Sequence, residues 1–189
     1  SVYGGLRYQT MEAEARIPFV AGYTVTGEQD AALGYLIGAA YEKPEIALRV
    51  ALTYSTSIEH ALDTTEFGAL SSVTTVETPQ SLNLEFQSGI AKNTLLIGSI
   101  RWVDWSEFVI DPAYYPPLSP LVSYTGDYTS YSLGVGRKFN ETWSGAVTLG
   151  YEAPLGGYSS NLGPSDGYSS SGVGVSYTRG KMKISAGAR

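Results

Sequence analysis

From Ser81 to Val103 the chain keeps a two-residue period through two consecutive stretches, and no other feature limits its fold so sharply. Leu82, Leu84, Phe86, Ser88 and Ile90 alternate with Ser81, Asn83, Glu85, Gln87 and Gly89. After Ala91-Lys92-Asn93, the set Leu96, Gly98, Ile100 and Trp102 alternates with Leu95, Ile97, Ser99, Arg101 and Val103. Successive side chains of a strand point to opposite faces, so this period marks two strands whose faces differ in chemistry. Two strands of about ten residues, joined by a tight turn and running into Trp102 and Trp105, have the length of a membrane-spanning hairpin.

The rest of the chain repeats this unit. Alternation and turn residues predict nine strands, over residues 2–9, 32–41, 46–58, 81–90, 94–103, 128–139, 142–151, 168–178 and 181–189. The first connection is polar and carries Glu12, Glu14, Arg16, Glu28 and Asp30, with a weak alternation over 19–26 that extends a strand if it pairs. Glu42-Lys43-Pro44-Glu45 is a tight turn, and 59–79 is a long connection. The segment 107–127 contains Pro112, Pro116, Pro117 and Pro120, which deny the backbone the donors that regular pairing requires. Asn140-Glu141 and Arg179-Gly180 are short turns, and 153–166 is a loop rich in Gly, Ser and Pro.

Long and short connections thus alternate throughout. Outer-membrane barrels of the up-and-down type have short periplasmic turns and longer extracellular loops, whereas a Greek-key sandwich has no reason to follow such an order. The expected fold is therefore all-β, an antiparallel up-and-down transmembrane β-barrel forming a single domain over 1–189. Aromatic residues support two interfacial belts: Tyr41, Phe139 and Trp143 beside short turns, and Trp102, Trp105, Tyr128, Tyr151 and Tyr168 beside long loops. Nine is odd and leaves the first and last strands parallel, so the chain is expected to be incomplete at both ends and part of a larger barrel.

Composition excludes several classes. No apolar run approaches the roughly 20 residues of a spanning helix, and the mean hydropathy of −0.06 shows apolar residues interleaved with polar ones. With 22 glycines, 15 tyrosines and no cysteine, the 189 residues hold no disulfide framework. A net charge of −6 offers no basic stripe for nucleic acid. One histidine and no cysteine leave soft metals without ligands. His60 stands near Ser57 and Asp63 in sequence but is expected to be a solvated loop residue, because nothing there would hold a nucleophile, base and orienter in line. Gly134-Val135-Gly136 and Gly172-Val173-Gly174 lack the following helix of a phosphate loop and are expected to be strand glycines. No catalytic residue, metal or cofactor is expected.

Residues 34–56 (a strand, a Tyr-Glu-Lys turn, then Arg49 to Tyr54), 78–108 (Thr-Pro, then a Trp-x-x-Trp-Ser-x-Phe ending), 131–154 and 167–189 resemble, in this order, the FadL-type outer-membrane transporters of long-chain fatty acids and other hydrophobic compounds. The resemblance implies a barrel of about 14 strands, of which this chain is similar to the fifth to thirteenth. It also implies a Gram-negative outer-membrane location and passive uptake of a fatty acid or other hydrophobic small molecule, without cofactor. The hatch domain and kinked early strand of that family have no counterpart here. A barrel with adhesive or partner-binding loops and a soluble lipid-binding β-barrel are the alternatives, and oligomeric state stays open.

Cations on a lipid-facing surface cost about 2–4 kcal/mol at mid-membrane, which places Arg49, Glu85, Arg101 and Lys183 in the lumen. Leu95, Ile97 and Val103 share the face of Arg101. Arg49, Glu85, Leu95, Ile97, Arg101 and Val103 are therefore the candidate ligand-binding residues, an aliphatic surface beside a cation that suits an amphipathic carboxylate. The competing reading is an Arg101–Glu85 ion pair that braces the lumen.

Overall fold

The structure is a computed structural model and describes residues 1–116, 119–156 and 166–189. Its main sheet is antiparallel between every pair of neighbours. It begins with the long hairpin β1 (Val2–Ile17) and β2 (Tyr23–Lys43). A single 3-10 turn, Pro44–Ile46, then reverses the chain, with Ala47 closing it in the left-handed region at φ 50°. β3 (Leu48–Ser55) returns along β2, and β4 (Ile58–Glu66) and β5 (Leu70–Thr78) form a hairpin of their own. β6 (Ser81–Ala91) and β7 (Thr94–Val103) follow, then the short β8 (Val109–Ile110) and β9 (Val122–Ser123). The sheet ends with β10 (Tyr128–Lys138), β11 (Trp143–Glu152), β12 (Tyr168–Arg179) and β13 (Met182–Ala188).

Pairing runs β13-β12-β11-β10-β7-β6-β3-β2, with β1 on the free edge of β2. These nine strands are the nine expected, in meander order. The Ser81–Val103 hairpin closes through Lys92-Asn93, with Ala91 paired to Thr94 and Asn93 at φ 59°. The 140–142 turn is held by Asn140, whose Oδ1 accepts from the amides of Thr142 at 2.9 Å and Trp143 at 2.8 Å.

Two connections and one strand depart from expectation. The polar segment after Gln9 is not a loop: β1 and β2 stay paired out to Ile17 and Tyr23, past a register shift between Met11 and Ala13. The expected strand 46–58 is interrupted, since β3 ends at Ser55 and β4 restarts at Ile58. Arg7 bridges the gap, donating from Nη1 to the Thr56 carbonyl at 3.0 Å. The expected long connection 59–79 is mostly the β4–β5 hairpin, whose Val25↔Glu66 to Gly27↔Thr64 register extends the sheet along β2. In the Pro-rich segment the two-residue strands β8 and β9 pair, the only strand pairing there among the described residues. The loop expected over 153–166 lies largely outside the described residues.

Register sorts the side chains into two faces. One row runs Tyr3↔Gly38↔Thr53↔Asn83↔Arg101↔Ser130↔Glu152↔Tyr168 across eight strands. Its neighbours along each strand belong to the opposite face, where Leu6, Leu33, Tyr35, Ile37, Leu52, Leu133, Val147, Leu149 and Val173 are all exposed. A surface this apolar is unstable in water and is the outward face of a barrel wall; the polar row faces the lumen. Tyr3 ties the lumen face together. Its ring lies across Gly38, where a Cβ would stand 2.4 Å from Cζ, and its hydroxyl meets Thr53 Oγ1 at 2.5 Å.

The buried core lies at the long-loop end. Leu62, Val76, Phe108 and Val122 form it, drawing on β4, β5, the 104–108 segment and β9. Met11, on the lumen face of β1, packs against this cluster with Trp105 and Tyr124, so the loops fold over the inner side of the wall. The aromatic expectation is corrected accordingly. Tyr41, Trp143, Trp102 and Tyr151 take the outward parity, but Tyr128 and Tyr168 lie on the lumen face. Trp105 packs edge-on against Phe108 and Tyr124, with centroids 5.6 and 5.3 Å apart.

Candidate functional site

The six candidate residues fall on one face of three adjacent strands, because β3, β6 and β7 carry unbroken antiparallel registers through them. Arg49 pairs with Gln87, Gln87 with Ile97, and Ala51 with Glu85. Glu85 pairs with Ser99, Asn83 with Arg101, Gly89 with Leu95 and Ser81 with Val103. All share the parity of Tyr3 and Thr53.

Within that face they separate into two groups. Arg49, Glu85 and Ile97 line a cavity of about 280 Å³ with Gln87, Ser99 and Ser132. Leu95 lines a larger space of about 830 Å³ toward the short turns, bounded by Ile46, Thr94, Lys138, Ala146 and Ser176 among others. Arg101 and Val103 line neither and stand nearer the loops, at the last turn-distal residues of β7. The small residues Gly134, Gly136, Ala146, Gly172 and Gly174 give β10–β12 a lumen surface with little side-chain bulk.

The ion pairing corrects one expectation. Glu85 Oε2 lies 3.8 Å from Arg49 Nη1, and Arg49 Nε lies 3.2 Å from Glu42 Oε1. Glu85 therefore pairs with Arg49, across β3–β6, and not with Arg101. Both partners are about half exposed, so each pair contributes at most about 1 kcal/mol. Arg101 is exposed and has no ion pair among the described residues. The acid that register brings nearest along its row, Glu152, is two strands away, 6% exposed, and accepts from Ser130 Oγ at 2.5 Å.

Sequence reasoning missed a polar cluster under the loops. Glu66 is fully buried and accepts from Tyr23 Oη at 2.7 Å, Ser72 Oγ at 3.0 Å and the Tyr114 amide at 3.1 and 3.2 Å. Tyr23 packs edge-on against Phe67 and Tyr115, with centroids 5.2 and 4.9 Å apart. Burial, and then the Glu66 carboxylate, hold its hydroxyl well above the usual tyrosine range. One carboxylate thereby joins β2, the β4–β5 hairpin and the Pro-rich segment.

A second network rims the loop end of β3, β6, β7 and β10. Tyr54 donates to Gln80 at 2.6 Å, Gln80 to Asp104 at 2.8 Å, and Ser106 Oγ to Asp104 at 3.1 Å and Asp127 at 2.8 Å. Trp102 Nε1 reaches Asp127 at 3.1 Å. Burial pushes the Asp127 carboxyl up, but donation from Ser106 and Trp102 outweighs it and holds the group below the usual carboxylate range.

His60 is also corrected. It is a buried β4 residue, not a solvated one, with Nδ1 2.9 Å from Asp30 Oδ2. Among the described residues no group of His, Asp or Glu side chains is arranged to hold a metal ion.

No protein-family model matches the sequence, and no curated protein matches it. Solved structures do share the fold. A Pseudomonas aeruginosa FadL homologue superposes with a TM-score of 0.63 at 14% identity, over 98% of this chain and 52% of its own. The Ralstonia pickettii toluene transporter TbuX gives 0.58 at 14%, over 95% and 54%. The monoaromatic hydrocarbon channel CymD gives 0.52 at 15%, over 98% and 60%. The chain thus has the barrel-wall fold of these proteins and spans little more than half their length.

Proposed function

We propose that this chain is part of the wall of a bacterial outer-membrane channel through which hydrophobic small molecules pass by diffusion, with long-chain fatty acids as the substrate class. The observation that carries this reading is Arg101, a lumen cation without an ion pair among the described residues, on a β7 face that continues as Ser99, Ile97 and Leu95. A carboxylate pairs with the guanidinium through charge-assisted hydrogen bonds while the alkyl tail lies along the aliphatic side chains toward the short turns. Arg49 and Glu85 compensate each other and act as lumen polarity, not as the anion site. The exposed apolar outer face and the likeness to proteins described as transporters and channels support the membrane setting.

The test is uptake and binding of oleate by the protein in proteoliposomes. Saturable binding that shields the carboxylate from titration supports the reading. A protein that stays monodisperse without detergent, or that binds no long-chain acid or hydrocarbon, overturns it.

A further inference from the structure

Charge is divided along the strand axis. The short-turn end carries Lys43, Lys92, Arg137, Lys138, Arg179 and Lys181, against Glu42, Glu45 and Glu141. The loop end is acidic, with Glu12, Glu14, Asp63, Glu107 and Asp111 against Arg16. No feature of the lumen pathway requires the basic rim, and part of it faces outward.

On β10–β12 that outward part has a definite composition. Trp143 pairs in register with Tyr177, and their rings meet edge-on at 5.0 Å. The Phe139 ring covers Gly145, where a Cβ would stand 3.0 Å from Cε2. Arg137, paired with Gly145, and Arg179, two residues beyond Tyr177, share the parity of these aromatics. Two guanidinium-bearing residues thus flank an aromatic floor. Further up the same strands Val147, Leu149, Val173 and Val175 continue the outward surface, all exposed.

We propose that this patch binds an anionic phospholipid, phosphatidylglycerol in type, from the leaflet at the short-turn end. Arg137 and Arg179 take the phosphate, since guanidinium groups match phosphate oxygens in a bidentate fork. Trp143, Tyr177 and Phe139 lie at the glycerol level, where amphipathic rings sit in a bilayer. The valine and leucine surface receives an acyl chain. The positive rim supplies the charge complementarity that selects an anionic headgroup over a zwitterionic one. The proposal rests on the membrane-barrel reading above.

The experiment reconstitutes the protein that contains this chain in phosphatidylcholine vesicles doped with phosphatidylglycerol, extracts it gently, and measures co-purifying lipid by native mass spectrometry. Wild type is expected to retain phosphatidylglycerol about tenfold over its share of the mixture. Arg137→Gln with Arg179→Gln loses that enrichment, while Lys92→Gln with Lys181→Gln keeps it and the Arg→Lys pair keeps part of it. Heat-modifiable migration in gels confirms that each variant folds. No enrichment in wild type, or equal loss in both double variants, overturns the site in favour of diffuse rim charge. Failure of wild type to insert in any vesicle instead rejects the membrane reading and the proposal with it.

Discussion

The Glu85 carboxylate lies 3.8 Å from the Arg49 guanidinium and leaves Arg101, on the neighbouring strand, without an ion pair among the described residues. Both cations project into the same lumen from adjoining registers, yet only one is neutralised. The asymmetry separates a paired charge from one without an ion pair among the described residues.

Arg101→Gln therefore lowers oleate affinity by about tenfold, the worth of one charge-assisted hydrogen bond of about 1.5–3 kcal/mol less its desolvation. Arg49→Gln changes affinity by less than about threefold, since it removes a charge that is already paired. Fluorescent fatty-acid displacement measures both, with far-UV circular dichroism as the control for folding. Equal effects of the two substitutions would remove Arg101 from the site.

Gly38→Ala tests the Tyr3 brace. A Cβ at Gly38 collides with the Tyr3 ring and drives its hydroxyl off Thr53, and overpacking of this kind costs about 1–3 kcal/mol. Tyr3→Phe removes the hydrogen bond alone and costs about 1 kcal/mol. Urea unfolding in lipid vesicles should rank the variants in that order, and a neutral Gly38→Ala would show that the ring swings away freely.

Glu66→Ala leaves Tyr23 Oη, Ser72 Oγ and the Tyr114 amide without their shared acceptor. Orphaned buried donors cost about 1–3 kcal/mol each, and the Tyr114 amide makes both of its hydrogen bonds to this one carboxylate. Hydrogen exchange over 111–116 should accelerate while the β6–β7 hairpin stays protected. Unchanged exchange would mean that the Tyr23–Tyr115 ring contact suffices to hold the segment.

Two groups set the pH limits of the loop end. Asp127 has a folded pKa below its ordinary 3.8. Its stabilising contribution is therefore present above that value and is lost as pH falls through the lower folded one. Tyr23 has a folded pKa above the ordinary 10.0, so its contribution is full below that value and declines as pH rises above it. Trp102 fluorescence should report acid release of the rim, and Asp127→Asn should flatten that transition. Tyr23→Phe should flatten the loss of loop protection on the alkaline side. Transitions that persist unchanged in both variants would assign them to other groups.

What was legible in the sequence follows from how local the signal is. Alternation along 81–103, 142–151 and 181–189 reports which side of a strand each residue occupies, because that period is a property of the backbone. The faces of the strands at 2–9, 46–58, 81–103, 142–151 and 181–189, the meander order, and the placement of Arg49, Glu85, Leu95, Ile97, Arg101 and Val103 on one surface were determined in this way.

Tertiary structure decided the rest. The β4–β5 hairpin was invisible because its buried face, Ile58, His60, Leu62, Thr64 and Glu66, mixes apolar and polar side chains. Glu66 and His60 find partners distant in sequence, the Tyr23 hydroxyl and the Tyr114 amide for Glu66 and Asp30 for His60 Nδ1, while Ser72 of the same hairpin bonds Thr64 and Glu66. The choice of Arg49 over Arg101 as the partner of Glu85 likewise depends on which of two diagonal neighbours reaches the carboxylate. Strand faces come from the chain's own stereochemistry, whereas buried partners come only from what another segment brings.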